Sequence, residues 1–234
     1  MRRVILDTET TGLDHRTGDR VIEIGCVEMI GRRLTGVHFH KYLNPEREID
    51  PGAVKVHGLT AEFLADKPRF ADIVGEFVEF VRDAELIIHN AAFDVGFLNH
   101  ELELIERESL DRLCGGVIDT LRMARELRPG RKNNLNALCS EFGIDNSGRQ
   151  LHGALLDAEL LAEVYLAMTR GQNSLAIEFA APTDRPLASS CERAPLVVLQ
   201  PTAEELAAHE QVLQTIARES KGACLWHQME TAGS

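Results

Sequence analysis

The sequence contains no run of about 18 apolar residues, so no membrane span is expected. It also lacks any CxxC pair. Its five cysteines (Cys26, Cys114, Cys139, Cys191 and Cys224) are widely spaced and odd in number, which argues against a zinc site or a disulfide scaffold and for reduced thiols in the cytoplasm. The opening MRRVILDTET lacks the long apolar stretch and small-residue cleavage site of a signal peptide and runs directly into a strand-like segment. Internal repeats are absent. Positive charge is scarce: 25 Lys plus Arg against 37 Asp plus Glu give a net charge of −12 over 234 residues. Phosphate recognition normally draws on clustered Lys and Arg, so by its charge balance alone the chain is a poor candidate for binding nucleic acid. What is present, 44% hydrophobic and 26% charged residues, excludes wholesale disorder and collagen-like repeats.

Residues 1–171 carry dense strand and helix patterning and read as one domain. Short β-type runs fall at Arg3–Thr8, Arg20–Ile30 and Arg33–Leu43, with Gly31-Arg32 as a hairpin turn between the last two. The spacing of Phe70, Ile73, Val74, Phe77, Val78 and Val81 predicts a helix over 70–81. A buried-type strand at Glu85–His89 precedes a helix over 92–105. A short strand at 116–119 precedes helices at 120–127, 134–142 and 155–169. A three-strand meander followed by strands alternating with helices predicts an α/β fold with a mixed sheet covered by helices. Residues 172–200 read as a linker, rich in Ala, Pro, Ser and charge over 178–194. Residues 201–234 form a tail with its own helix start, where Thr202 and Glu205 have the spacing of a capping box. Its Leu206, Leu213, Ile216 and Ala217 fall near one helical face, and Trp226, the only Trp, lies beyond Lys221-Gly222. One amphipathic helix cannot bury its own stripe, so this segment needs the domain or a partner to pack on.

The chemistry resides in acids. Asp7 and Glu9 are two apart on an apolar strand, so both point to one face. Paired carboxylates beside a core repel unless a cation neutralises them. Asp94 sits at a strand-to-helix turn, where it is either a ligand or a helix cap. Asp157 interrupts a helix that is apolar almost all round, a place where a carboxylate needs a partner. His152 precedes it on a Gly-containing loop and is either a base or a surface residue. Four carboxylates without cysteine ligands suit hard cations such as Mg²⁺ or Mn²⁺. Two such ions can stabilise the attacking and leaving oxygens of phosphodiester hydrolysis, and a neutral His can deprotonate the water. Arg122, Arg125, Arg128, Arg131 and Lys132 form the one strong basic run, either a solvated helix face or a contact for a single-stranded end.

Asp7-Thr8-Glu9-Thr10-Thr11-Gly12, His89-Asn90-Ala91-Ala92-Phe93-Asp94 and the segment from His152 to Asp157 resemble the three exonuclease blocks of the DEDD superfamily, in the usual order. His152, five residues before the last Asp, matches the histidine branch. Arg33-Leu34-Thr35-Gly36, Val56-His57-Gly58-Leu59 and the tail from Thr202 to Trp226 extend the resemblance to epsilon-type proofreading subunits of bacterial replicative polymerases. The resemblance implies a ribonuclease H-like fold, with a mixed five-stranded sheet flanked by helices. It implies a metal-dependent 3′→5′ DNA exonuclease that removes mispaired nucleotides from a primer end and releases deoxynucleoside monophosphates. Under it, Asp7, Glu9 and Asp157 hold the tighter of two Mg²⁺ or Mn²⁺ ions, Asp7 bridges to the second, and Asp94 helps to hold that one. His152 is the general base. Thr10 and His57 lie near the terminal nucleotide; a turn residue and a loop histidine are the alternatives. Gln172, Leu175 and Ile177 resemble a sliding-clamp motif. Leu213, Ile216, Leu225 and Trp226 resemble the part that tethers such subunits to the polymerase catalytic (alpha) subunit. A small third core subunit is a further implied partner.

Overall fold

The computed structural model describes residues 1–149, 151–170 and 201–220. Five strands form one sheet in the order β3-β2-β1-β4-β5. β1 (Arg2–Thr10) is central. It pairs antiparallel with β2 (Val21–Ile30), which pairs antiparallel with β3 (Arg33–Tyr42). On its other side β1 runs parallel to β4 (Glu85–Ile88), and β4 runs parallel to β5 (Gly116–Asp119). The sheet is therefore mixed, as the alternation of meander and strand–helix units predicts, and the carboxyl ends of its three parallel strands open together at one edge.

Side-chain alternation along β1 decides what each acid meets. Val4 and Leu6 enter a core layer with α3 (Phe70–Val81) and α4 (Ala91–Leu104). Ile5 enters the opposite layer with α7 (Leu135–Phe142) and α8 (Ala154–Met168). Continuing the period-two pattern, Asp7 and Glu9 share Ile5's face and look toward α8, while Thr8 looks toward α4. β1 runs on past the predicted end at Thr8, with a register shift between Glu9 and Thr10.

Gly25 of β2 lies opposite Asp7. A Cβ there would come within 2.2 Å of the Ala154 carbonyl carbon and the Leu155 nitrogen, so only glycine lets the first turn of α8 rest on the sheet beside Asp7. On the other face Arg20 and Glu101 fix α4 to the start of β2. Arg20 Nε donates to Glu101 Oε1 at 2.7 Å and Nη2 to Oε2 at 2.6 Å, while the Val21 N–H donates to the same carboxylate at 3.1 Å. Bidentate geometry and a backbone donor satisfy a carboxylate that is fully buried.

Three short helices, α1 (Pro51–His57), α2 (Ala61–Leu64) and α5 (Leu110–Leu113), complete the domain with α6 (Thr120–Leu127). The hydrophobic patterning does not announce the first three. The chain divides at residue 177 into two units. In the second, α9 (Ala203–Glu219) starts with the expected capping box: Thr202 Oγ1 accepts from the Glu205 N–H, and the Glu205 carboxylate accepts from the Thr202 N–H at 2.8 Å. No helix among the described residues is long and apolar enough to cross a membrane.

Candidate active site

All five residues expected to carry the chemistry line one pocket of about 350 Å³: Asp7, Glu9, Asp94, His152 and Asp157. They reach it from three elements. Asp7 and Glu9 come from β1 and Asp157 from the first turn of α8, which Gly25 admits. Asp94 crosses from the other face. It is not a helix cap, because Asn90 holds the N-cap position, in the left-handed region at φ 66°. Asparagine tolerates that conformation better than most residues, and the tight turn brings α4 back toward β1. Asp94 Oδ1 then accepts from the Thr8 N–H at 3.0 Å and from Thr8 Oγ1 at 2.7 Å.

Burial sets the electrostatics. Asp94 and Asp157 are each 3% exposed and Glu9 8%. Desolvation, then repulsion from Asp94, Asp157 and Glu9, holds the Asp7 carboxyl well above the usual range. Desolvation and the charges of Asp157, Glu23 and Asp94 push Glu9 up to about 8. Glu23 stands directly opposite Glu9 across the β1–β2 pair. Desolvation raises Asp94 to about 7 against the opposing pull of its Thr8 hydrogen bonds. His152 moves the other way: burial first, and the neighbouring Arg149 charge second, lower its pKa below the ordinary value, so the imidazole is neutral at pH 7.

The donor set fits divalent cations. Glu9, His152 and Asp157 each present a ligand atom, all within 4.8 Å of one another, and Asp7 lines the same pocket. Buried carboxylates that resist ionisation through desolvation and mutual repulsion are groups a divalent ion would return to the charged form.

The residues that sequence reasoning missed are polar. Arg149 Nε donates to Asp157 Oδ1 in a very short contact, and Nη2 donates to Oδ2 at 2.5 Å. Its Nη1 donates to Asn136 Oδ1 at 2.6 Å, and Nη2 lies 3.0 Å from His152 Nδ1. A single arginine in a polar loop carries no periodic signal. The His152 loop is also less free than a Gly-containing segment suggests: the His152 N–H donates to the Val56 carbonyl at 3.0 Å, tying it to α1. Phe93, His89 and Asn134 complete the pocket wall among others.

Thr10 and His57 do not line this pocket. The Thr10 hydroxyl, at the end of β1, donates to the Gly12 carbonyl at 2.6 Å. His57 is buried at the end of α1, not on an open loop. Its Nδ1 accepts from the Leu59 N–H at 3.0 Å, which leaves the proton on Nε2, and Nε2 is buried with no hydrogen-bond partner among the described residues. The basic run divides: Arg122 pairs with Glu126, and Arg128 and Arg131 both pair with Glu141. The clamp-motif residues Gln172, Leu175 and Ile177, and the tail residues Leu225 and Trp226, lie outside the described residues. On α9 Leu213 is 5% and Ile216 41% exposed.

An exonuclease family profile matches residues 4–165. The chain is 50% identical over 236 residues to the DNA polymerase III subunit epsilon of Pasteurella multocida strain Pm70, covering 96% of this chain and 93% of that one. It is 48% identical over 237 residues to the DNA polymerase III subunit epsilon of Escherichia coli strain K12, covering 96% and 97%. Among solved structures, exonuclease X in complex with 5′ overhanging duplex DNA superposes with a TM-score of 0.57 at 26% identity, covering 72% of this chain and 91% of that one.

Proposed function

The chain belongs to the exonuclease family and to its DNA polymerase III epsilon branch of proofreading 3′→5′ exonucleases, and from that premise we propose how its residues divide the work. The single observation that carries the assignment is the convergence of Asp7, Glu9, Asp94, His152 and Asp157 on one pocket from separate stretches of sequence.

Asp7, Glu9 and Asp157 would hold one Mg²⁺ or Mn²⁺ ion, and Asp7 and Asp94 would hold a second. When bound, the ions supply positive charge for the attacking and leaving oxygens of phosphodiester hydrolysis. The protein supplies the rest. Neutral His152, 45% exposed at the pocket mouth, takes the proton from the water that attacks the terminal phosphorus. The bond to the 3′ oxygen of the preceding nucleotide breaks, and a deoxynucleoside monophosphate leaves. Thr8 keeps Asp94 in place from behind. Thr10, the last residue of β1, and His57, the last residue of α1, would border the position of the terminal nucleotide. The partners are a frayed or single-stranded DNA 3′ end, the polymerase catalytic subunit through α9 and the residues that follow it, and the sliding clamp through Gln172, Leu175 and Ile177. A small third core subunit on the nuclease domain completes the set.

The test is direct. With Mg²⁺ or Mn²⁺ the protein should shorten a mismatched primer 3′ end in a gel assay, and Asp7→Ala should lower the rate by several orders of magnitude while the circular dichroism spectrum is kept. An unaltered protein with no such activity would sink the assignment.

A further inference from the structure

A second cleft, about 670 Å³, opens beside the catalytic pocket and shares His89, Asn90 and Asn134 with it as a common wall. Its far side is formed by Leu121 and Arg125 of α6, four residues apart on one helical face, and by Arg131 in the turn after that helix. The volume lies within the range of ordinary ligand sites and is larger than that of the catalytic pocket.

The charges around it do not cancel. Arg125 is exposed and has no ion pair among the described residues. Arg131 and Arg128 share a single carboxylate, Glu141, with contacts of 3.0 Å each, so two guanidiniums face one negative charge. Asp119, at the end of β5, adds one negative charge, and its Oδ1 accepts from the Leu121, Arg122 and Asn90 N–H groups at 2.9, 3.2 and 3.3 Å. Asn134 spends its side-chain oxygen on the Ala137 N–H at 2.9 Å as the cap of α7, which leaves its amide NH₂ for a ligand. Asn133 holds the 128–133 turn in shape by donating to the Arg131 carbonyl at 3.0 Å. On a chain of net charge −12, this is a local excess of cation and amide donors at the mouth of the nuclease pocket. A chain with one end over the catalytic carboxylates must leave by an open side, and this cleft adjoins the pocket along His89, Asn90 and Asn134.

We propose that the cleft is a second subsite, which binds the phosphodiester groups of the nucleotides 5′ to the scissile bond through Arg125 and Arg131. The proposal rests on the exonuclease reading of the adjoining pocket. The guanidiniums grip the backbone and do not read bases, so the subsite is indifferent to sequence and acts through substrate length. A substrate of one nucleotide never reaches it.

The experiment compares the thymidine 5′-monophosphate p-nitrophenyl ester, which fills only the catalytic pocket, with a single-stranded hexanucleotide, using the full chain with Mn²⁺. The double variant Arg125→Gln/Arg131→Gln should hydrolyse the ester like the unaltered protein. On the hexanucleotide its KM should rise several-fold at nearly constant kcat. The slope of log KM against log salt should flatten by about 0.7 per lost phosphate contact. Arg122→Gln removes one positive charge from a side chain already paired with Glu126 at 3.2 Å and outside the cleft, and it should change neither KM nor slope. Equal losses on both substrates, an unchanged hexanucleotide KM, or an Arg122→Gln effect as large as the double variant's would each overturn the subsite. An unaltered protein that cleaves neither substrate would overturn the exonuclease reading and the subsite with it, a result distinct from any difference between variants.

Discussion

Glu9 shows how one residue couples metal, pH and stability. Its folded pKa of about 8 stands above the ordinary carboxyl value of 4.5, so folding takes up a proton. Such a group stabilises the fold below its unfolded pKa, and that contribution is lost as pH rises from about 4.5 through 8. In EDTA the melting temperature should therefore fall between pH 5.5 and 8.5. Adding Mg²⁺ should raise it most at the alkaline end, because the ion binds the deprotonated carboxylates, and Glu9→Gln should flatten the EDTA profile. A melting temperature in EDTA that is level or rises over this range would contradict the account. Arg149 acts on the same balance from the other side. Its guanidinium occupies both oxygens of Asp157, the lone pairs a cation would use. Arg149→Gln should tighten Mn²⁺ binding several-fold by calorimetric titration, and weaker binding would refute the competition. At this scale the acids were legible in the sequence, because a carboxylate inside an apolar strand or helix is conspicuous. Arg149 and Asn136 were not, because polar loop residues gain meaning only from what the fold brings beside them. His57 was visible as a residue, but its burial depends on α1, which the patterning did not announce.

Among the elements, the long and periodic ones were legible. The strand at 116–119 and the helices over 70–81 and 120–127 have the bounds the patterning predicts, and the other long elements end within two residues of theirs. Those missed are short: α1, α2 and α5 have seven, four and four residues, too few for a repeating stripe. Only their end signals were available. Asp50 caps α1 before Pro51 at its start, and Gly58, at φ 75°, stops it. Sequence patterning was equally blind to how closely α8 approaches β2. Gly25→Ala should keep the sheet but displace the first turn of α8, moving Asp157 away from Asp7. Misplacing a reacting group by about 1 Å can cost on the order of 10²-fold in rate. Excision by Gly25→Ala should fall by about that factor with the far-ultraviolet spectrum unchanged, and full activity would mean that the contact is not needed for the geometry.

For the whole molecule, the acidic balance acquires a different meaning. Four of the 37 acids line the catalytic pocket, and the basic cleft beside it is local. A surface that is negative overall gives little non-specific DNA affinity, and a nuclease held near its substrate by a tether gains local concentration instead. Filter binding at physiological salt should find weak retention of single-stranded DNA by the lone chain, and excision should rise when the polymerase catalytic subunit is added. Tight binding by the chain alone would contradict this. The sequence showed the net charge, but not that the basic run splits into paired arginines and a cleft wall, since Glu141 is brought to Arg128 and Arg131 only by the turn between α6 and α7.

The wide sequence separation of the pocket's members also governs when the chain becomes dangerous. Asp7 and Glu9 emerge from the ribosome among the first ten residues and Asp157 after all five strands are complete. A nascent or truncated chain that stops before residue 152 holds every strand of the sheet, yet it lacks both His152 and Asp157. With the roles proposed for these two residues, such a truncated chain should show no excision in the primer assay, and cleavage competence arrives only with the final helix of the domain.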